Sequence, residues 1–178
     1  MREKTFFKKF LPIIILFVVT PANVYSQKDQ ELYYQAVQLA REKEVDIAFS
    51  YFDLLLHCFP NSKFREESLF AVGEYYFSIS AYTEARESFE RFIKRYSHSP
   101  AKIFALSYLL KISQQRNDYI KVKELEKQII KFQQTSLVFR EFKKLQYLSP
   151  FLKQYRALYF IDHIEVYVDE DLLVKINF

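Results

Sequence analysis

The stretch GEYYFSISAYTEARESFERFIKRYSHSP, residues 73–100, holds the only glycine in a chain of 178 residues. That glycine does not sit in a turn. In SLFAVGEYYF, Leu69, Val72, Gly73 and Tyr76 recur at i, i+3, i+4 and i+7, the spacing of one helix face. After a short break, SISAY, the run TEARESFERFIKRY puts Ala85, Phe89, Phe92 and Tyr96 on one face and Glu84, Arg86, Glu87, Glu90 and Arg91 on the other. The stretch therefore reads as two antiparallel helices with a glycine inside the first. Glycine in a helix interior costs about 1 kcal/mol relative to alanine. A close crossing of the two helices at Gly73, where a side chain would push them apart, is the expected offset.

The same pattern recurs along the chain. A shift of 37 residues brings Leu32 onto Leu69, Ala36 onto Gly73, Ala48 onto Ala85, Phe52 onto Phe89, Phe59 onto Tyr96 and Ser62 onto Ser99. A second shift carries Leu69 to Leu106, Val72 to Leu109, Tyr82 to Tyr119 and Phe92 to Ile129. The third copy is the weakest, because Gly73 maps to Leu110 and Phe89 to Glu126. Three helix pairs that repeat in this way should stack side by side as a solenoid.

The order of residues resembles the tetratricopeptide repeat, in which a large apolar residue, Leu-Gly, Tyr, Ala, Phe and a closing Pro follow one another. Leu69, Val72, Gly73, Tyr76, Tyr82, Ala85 and Phe89 match it in spacing, as do Leu32, Ala36, Leu39, Ala48, Phe52 and Pro60 of the first copy. The linkers FPNSKFREES and YSHSPAKIF lengthen the usual 34-residue unit by three. That variant is similar to the repeats of bacterial envelope proteins such as the assembly lipoprotein BamD and the Tol-Pal-associated cell-division coordinator. The resemblance covers residues 28–134. It implies an all-α solenoid whose first helices line a concave surface for a protein partner. By position, that groove comprises Tyr33, Val37 and Arg41 of copy one; Glu67, Phe70, Glu74 and Phe77 of copy two; and Ser107, Lys111 and Gln114 of copy three. An apolar strip of Tyr33, Phe70 and Phe77 rimmed by Glu, Arg and Lys suits a peptide or helix. The competing expectation is that the chain's own C-terminal helix or hairpin fills it.

The ends read differently. MREKTFFKK is a basic segment, FLPIIILFVV an apolar run and TPANVYS a polar tail with Val24 and Ser26 at the small-residue positions of a leader cleavage site. Residues 1–26 thus read as an export signal cut before Gln27, too short in its apolar run for the roughly 20 residues of a membrane span. The cleavage point carries no cysteine for a lipid. An uncleaved anchor is the alternative. Arg2, Lys4, Lys8 and Lys9 against Glu3 account for most of the net charge of +4, and the remainder holds 22 basic and 21 acidic residues. A near-neutral mature chain gives no support to nucleic-acid binding.

Residues 27–134 form the repeat region and residues 135–178 a separate C-terminal part. In the latter, Leu137, Phe139, Phe142, Leu145 and Leu148 are spaced for an amphipathic helix with Ser136 at its N-cap, and Pro150 opens another helix to about Tyr159. The end alternates, with Ile164, Val166 and Val168 and then Val174, Ile176 and Phe178 around DED, which predicts a strand–turn–strand. Ending on an apolar strand-like residue also fits a fragment of a longer repeat protein.

A search for chemistry finds little. His57, His98 and His163 are far apart without metal-ligand spacing, and the sequence carries no phosphate-cradling glycine loop or nucleophile elbow. Adjacent helical residues do not face each other, so His57–Cys58 is not a catalytic pair. Cys58, the only cysteine, is expected to be a buried core thiol in FDLLLHCF. Asp169–Asp171 lacks the glycine and ligand alternation of a calcium loop and reads as a solvated turn. The expectation is an exported, non-catalytic interaction module of the cell envelope, without metal or cofactor, binding protein partners. Self-association into a homo-oligomer is the alternative, and an enzyme the remotest.

Overall fold

A computed structural model describes the backbone of residues 21–137 and 144–178, and the side chains of residues 28–131 and 144–178. The expected leader falls mainly on residues 1–20, outside the described residues. Among the described residues six helices come first: α1 Pro21–Arg41, α2 Val45–Cys58, α3 Arg65–Ser78, α4 Tyr82–Arg95, α5 Lys102–Gln115 and α6 Tyr119–Leu137. They pack as the pairs α1/α2, α3/α4 and α5/α6, and each pair packs on the next.

The 37-residue period is written into the backbone. Three residues take a left-handed conformation in the loops inside the pairs, Lys43 (φ 67°), Ser80 (φ 62°) and Asn117 (φ 56°). Each ends its helix with the same two bonds. Lys43, Ser80 and Asn117 donate their N–H to Ala40, Phe77 and Gln114, and the next residues, Glu44, Ala81 and Asp118, donate to Leu39, Tyr76 and Ser113. This is the Schellman closure, which satisfies carbonyls the helix end leaves free. The loops between pairs repeat as well. Ser62 Oγ accepts from Phe64 N–H, and Ser99 Oγ accepts from Ala101 N–H.

Gly73 lies in α3 against the Phe89 ring of α4, and a Cβ built there would meet that ring at 2.7–3.0 Å. The glycine is used for space, as the sequence indicates. The other copies solve the same crossing differently. Ala36 stands opposite Phe52 in the period, and Leu110, fully buried, takes the place of the glycine where Glu126 replaces the phenylalanine. Bulk has moved from the second helix to the first.

The C-terminal part departs from expectation. The expected helix from Ser136 falls partly on residues 138–143, outside the described residues, and Ser136 itself lies inside α6. From Lys144 on, where helix was expected as far as Tyr159, the chain forms β1 Lys144–Leu148, β2 Gln154–Tyr159, β3 His163–Val168 and β4 Asp171–Asn177. They make an antiparallel sheet in sequential order. The fold is therefore an α-solenoid plus a β-meander rather than all-α. The strand–turn–strand at the end is present, with Val168 paired to Asp171 across a tight turn at Asp169 and Glu170, so DED forms that turn. A lone hairpin is marginal in water, and three or more strands with an apolar face to cover are stable. Here one face buries Tyr155, Ala157, Tyr159, Ile164, Val166, Val174 and Ile176, with Ala157 opposite Val166 and Val166 opposite Val174. The other face carries Lys175 Nζ at 3.0 Å from Glu165, and Tyr167 Oη donates to the same carboxylate at 2.8 Å.

Cys58 is another correction: it is exposed. The buried side of α2 is Ala48, Phe52, Leu55 and Leu56, and the last residue of the helix points away from it.

Two substitutions test the helix pairs. Gly73→Ala gains about 1 kcal/mol of helix propensity but incurs overpacking of about 1–3 kcal/mol against a fully buried ring, so a net loss of roughly 1 kcal/mol is expected. Lys43→Gly relieves a left-handed side-chain residue and should stabilise by roughly 0.5–1 kcal/mol. Urea unfolding midpoints of the two variants read both effects.

Candidate functional site

The first helix of each pair supplies the inner face, and the period sets the ten expected groove residues in rows. Tyr33, Phe70 and Ser107 are equivalent, as are Val37, Glu74 and Lys111, and Phe77 and Gln114. The middle of this face is covered by the sheet. Phe70 is fully buried, with its ring centroid 5.1 Å from Tyr147 of β1 and 5.5 Å from Tyr155 of β2. Phe104 of α5 meets the same two tyrosines at 6.0 and 5.1 Å. Glu74 and Ser107 are buried too, and Ser107 Oγ donates to the Ile103 carbonyl within its own helix. An open groove through these three residues is thus not what the fold presents; the competing expectation of an internal occupant describes them.

The two ends of the face differ from the middle. Tyr33 is half-buried and stacks on Phe64 at 4.3 Å, beside half-buried Val37 and Glu67 and exposed Arg41. Burial first, then the nearby Glu67, pushes the Tyr33 hydroxyl up to about 12. Burial also raises Glu67 above the usual carboxylate range. At the other end Phe77 is half-buried against Tyr82 and Tyr108, Lys111 is half-buried and Gln114 is exposed.

The centre holds a polar network that sequence reading missed. Tyr155 Oη donates to Glu74 Oε1 at 2.5 Å, and the Tyr108 and Tyr155 hydroxyls are 2.6 Å apart. Because Tyr155 gives its proton to the carboxylate, Tyr108 donates to Tyr155. Glu74 Oε2 and Ser149 Oγ are both buried and lack a hydrogen bond of ordinary geometry. Desolvation raises Glu74 to about 7, against the opposing pull of Lys153, Tyr155 and Ser149, while Asp169 adds to the rise. Desolvation and the Glu74 charge likewise push Tyr155 and Tyr108 well above the ordinary phenol range. The signal for Tyr155 was present: Tyr155, Ala157 and Tyr159 alternate as a strand does, but the proline before them was read as a helix start.

Glu74 is buried beneath the sheet, 1% exposed. Among the described residues no group of His, Cys, Asp and Glu is arranged to hold a metal ion, and no helix is long and apolar enough to cross a membrane.

Residues 25–155 match the family model YfiO, described as outer membrane lipoprotein. The chain belongs to this family. The YfiO match spans α1 from residue 25, the whole of α2 to α6, β1 and the start of β2, so β3 and β4 lie beyond the matched segment. Membership agrees with the tetratricopeptide-like, BamD-type resemblance of the repeats and associates the protein with the outer membrane of a bacterial envelope. No match was found among curated proteins.

Glu74 makes stability depend on pH with a definite sign. The fold keeps the carboxyl neutral up to about 7, whereas the unfolded chain releases the proton near the ordinary value of 4.5. The contribution is therefore complete below 4.5, declines as pH rises towards 7, and amounts to roughly 3 kcal/mol. Glu74→Gln, neutral at every pH, should flatten this decline, losing less stability between pH 4.5 and pH 7.5 than the unaltered protein does. Denaturant unfolding of both proteins at the two pH values checks it.

Proposed function

We propose that the protein is a non-catalytic protein-interaction module of the outer-membrane assembly system, exported after removal of residues 1–26 and facing the periplasm. It receives a partner segment at the uncovered ends of its inner face: Tyr33, Val37, Glu67 and Arg41 at one end, Phe77, Lys111 and Gln114 at the other. The observation that carries this reading is the seating of the sheet. The inner face already holds an extended element through edge-to-face rings and one hydrogen-bonded carboxyl. Aromatic and charged side chains of the same kind continue past the sheet on both sides, and such anchors dominate the energetics of peptide recognition.

Phe70 has a different role in this reading. It is a core residue whose truncation to alanine costs about 3–5 kcal/mol, so its loss would report on folding rather than on binding. Membership of an outer membrane lipoprotein family supports a partner that is itself an envelope protein.

A photo-crosslinking amino acid placed at Arg41, at Gln114 and, as a control, at Glu90 on the outward side of α4 tests the assignment in intact cells. All three positions are exposed, so none should disturb the fold. Adducts with another envelope protein at Arg41 or Gln114 and none at Glu90 are expected. Adducts confined to Glu90, or adducts only with a second copy of this chain, would sink the groove.

A further inference from the structure

Away from the inner face, Arg65, Leu69, Arg91, Lys94 and Arg95 line a cavity of about 420 Å³ between the start of α3 and the end of α4. No acidic residue lines it. Among the described residues none of the four cations forms an ion pair with an aspartate or glutamate. Arg65 is fixed in place: its Nη1 donates to the carbonyls of Leu56 and Phe59 at the end of α2, and its buried Nε has no partner. Leu69, almost fully buried, forms an apolar floor.

The repeat calls for part of this charge: the position of Arg65 is basic in every copy, as Lys28 and Lys102, and Lys94 recurs as Lys131, whereas Arg91 and Arg95 have no basic equivalent in either copy. At the positions equivalent to Arg91, Lys94 and Arg95 the first copy carries Leu54, His57 and Cys58, and it forms the same helix pair. Cations in the last turn of α4 complement its dipole, which accounts for Lys94 and Arg95. It does not account for Arg91, one turn earlier, which stands four residues after Glu87 and also borders a second cavity with Asp53, Glu84 and Glu87. Nor does overall composition, because beyond residue 26 basic and acidic residues nearly balance, 22 against 21.

We infer that this pocket is a binding site for an anionic phosphate group, free or carried on a lipid headgroup. The two guanidinium forks of Arg91 and Arg95 and the Lys94 ammonium, with the positive charge of Arg65 behind them, match the several oxygens of a phosphate, which planar forks bind in pairs. A single peptide carboxylate would leave most of those donors without a partner, so phosphate is favoured over an acidic peptide. The site is separate from the inner face and does not depend on the partner-binding role given above.

The test uses the full chain and two charge-matched double variants, Arg91→Gln with Arg95→Gln in the pocket and Lys123→Gln with Lys127→Gln on exposed positions of α6. Arg65 is left alone because it ties α3 to α2. Binding is measured to inorganic phosphate by calorimetry and to phosphatidylcholine vesicles with and without phosphatidylglycerol by sedimentation. Removing two pocket cations should weaken binding roughly thirtyfold, at about tenfold or less for the α6 pair. Lys94→Gln with Arg95→Gln should repeat the larger loss, and circular dichroism confirms that each variant is folded. Competition of the vesicles by phosphate identifies a soluble ligand, and vesicle binding without competition identifies a headgroup; either supports the site. Equal losses in the pocket and α6 variants, no binding of either probe by the unaltered chain, or tighter binding of a glutamate-rich peptide than of phosphate would overturn it.

Discussion

The ring of Phe70 joins the second helix pair to the third and to the sheet. It meets Phe89 and Phe92 of its own helix pair, Tyr108 of the next pair, and Tyr147 and Tyr155 of the sheet, all edge to face with centroids 5.1–6.5 Å apart. Edge-to-face pairs add about 0.5–1.5 kcal/mol each beyond the area they bury. The rest of the core is arranged so that one ring can make all of them. Gly73 lets the Phe89 ring lie close against α3, and Phe89 in turn stacks on Tyr108 at 4.7 Å and 7°. A glycine in α3 and a strand more than 70 residues later are thus parts of one packing arrangement.

Apolar burial alone would hold the sheet on the helices but would not fix its register. A strand slipped by one residue turns its other face inward, and for β2 that would present Gln154, Arg156 and Leu158 to the core. The Glu74–Tyr155–Tyr108 chain penalises the slip, because only Tyr155 in place gives the buried carboxyl its donor. Removing a partner from a buried polar group costs about 1–3 kcal/mol. Buried Glu74 therefore weakens the fold as it loses its proton, yet it specifies where β2 sits.

The helix pairs were legible because a 3.6-residue spacing and a 37-residue period reinforce each other, and Gly73 could be assigned to close packing on sequence alone. The sheet was only half legible. Ile164 to Phe178 alternates over two strands, but Leu145 and Leu148 also fit the helix spacing set by Phe139 and Phe142, and a five-residue strand offers too few inward positions to break the tie. What decides it is tertiary: a curved apolar face that β1 and β2 can cover. For the same reason the groove residues could be placed on the inner face by the period, while the burial of Phe70 and Glu74 could not be foreseen. The residue that covers Glu74 lies 81 positions away in a segment read as a helix. Cys58 was misplaced because an apolar run was taken as buried all round, when a helix paired on one side buries one face.

The three left-handed loop residues bear on how such a fold is held. Glycine is the preferred residue at these helix ends, yet they carry Lys43, Ser80 and Asn117, and the one glycine is in a helix. Each non-glycine there works against its local conformational preference, asparagine least. The turns therefore do not specify the helix pairs; contacts between helices do, and the turns follow. In a solenoid those contacts are to nearest neighbours, so an element that touches several pairs at once adds a link the repeats alone lack. The C-terminal part reaches from Phe151, in the turn between β1 and β2, against Phe52 of α2 to Tyr155 of β2 against Phe70 of α3 and Phe104 of α5, and so ties all three pairs from the inside. It takes the place that further repeats or a capping helix would fill, and it leaves the outer face, with its basic cavity, free of that structural duty.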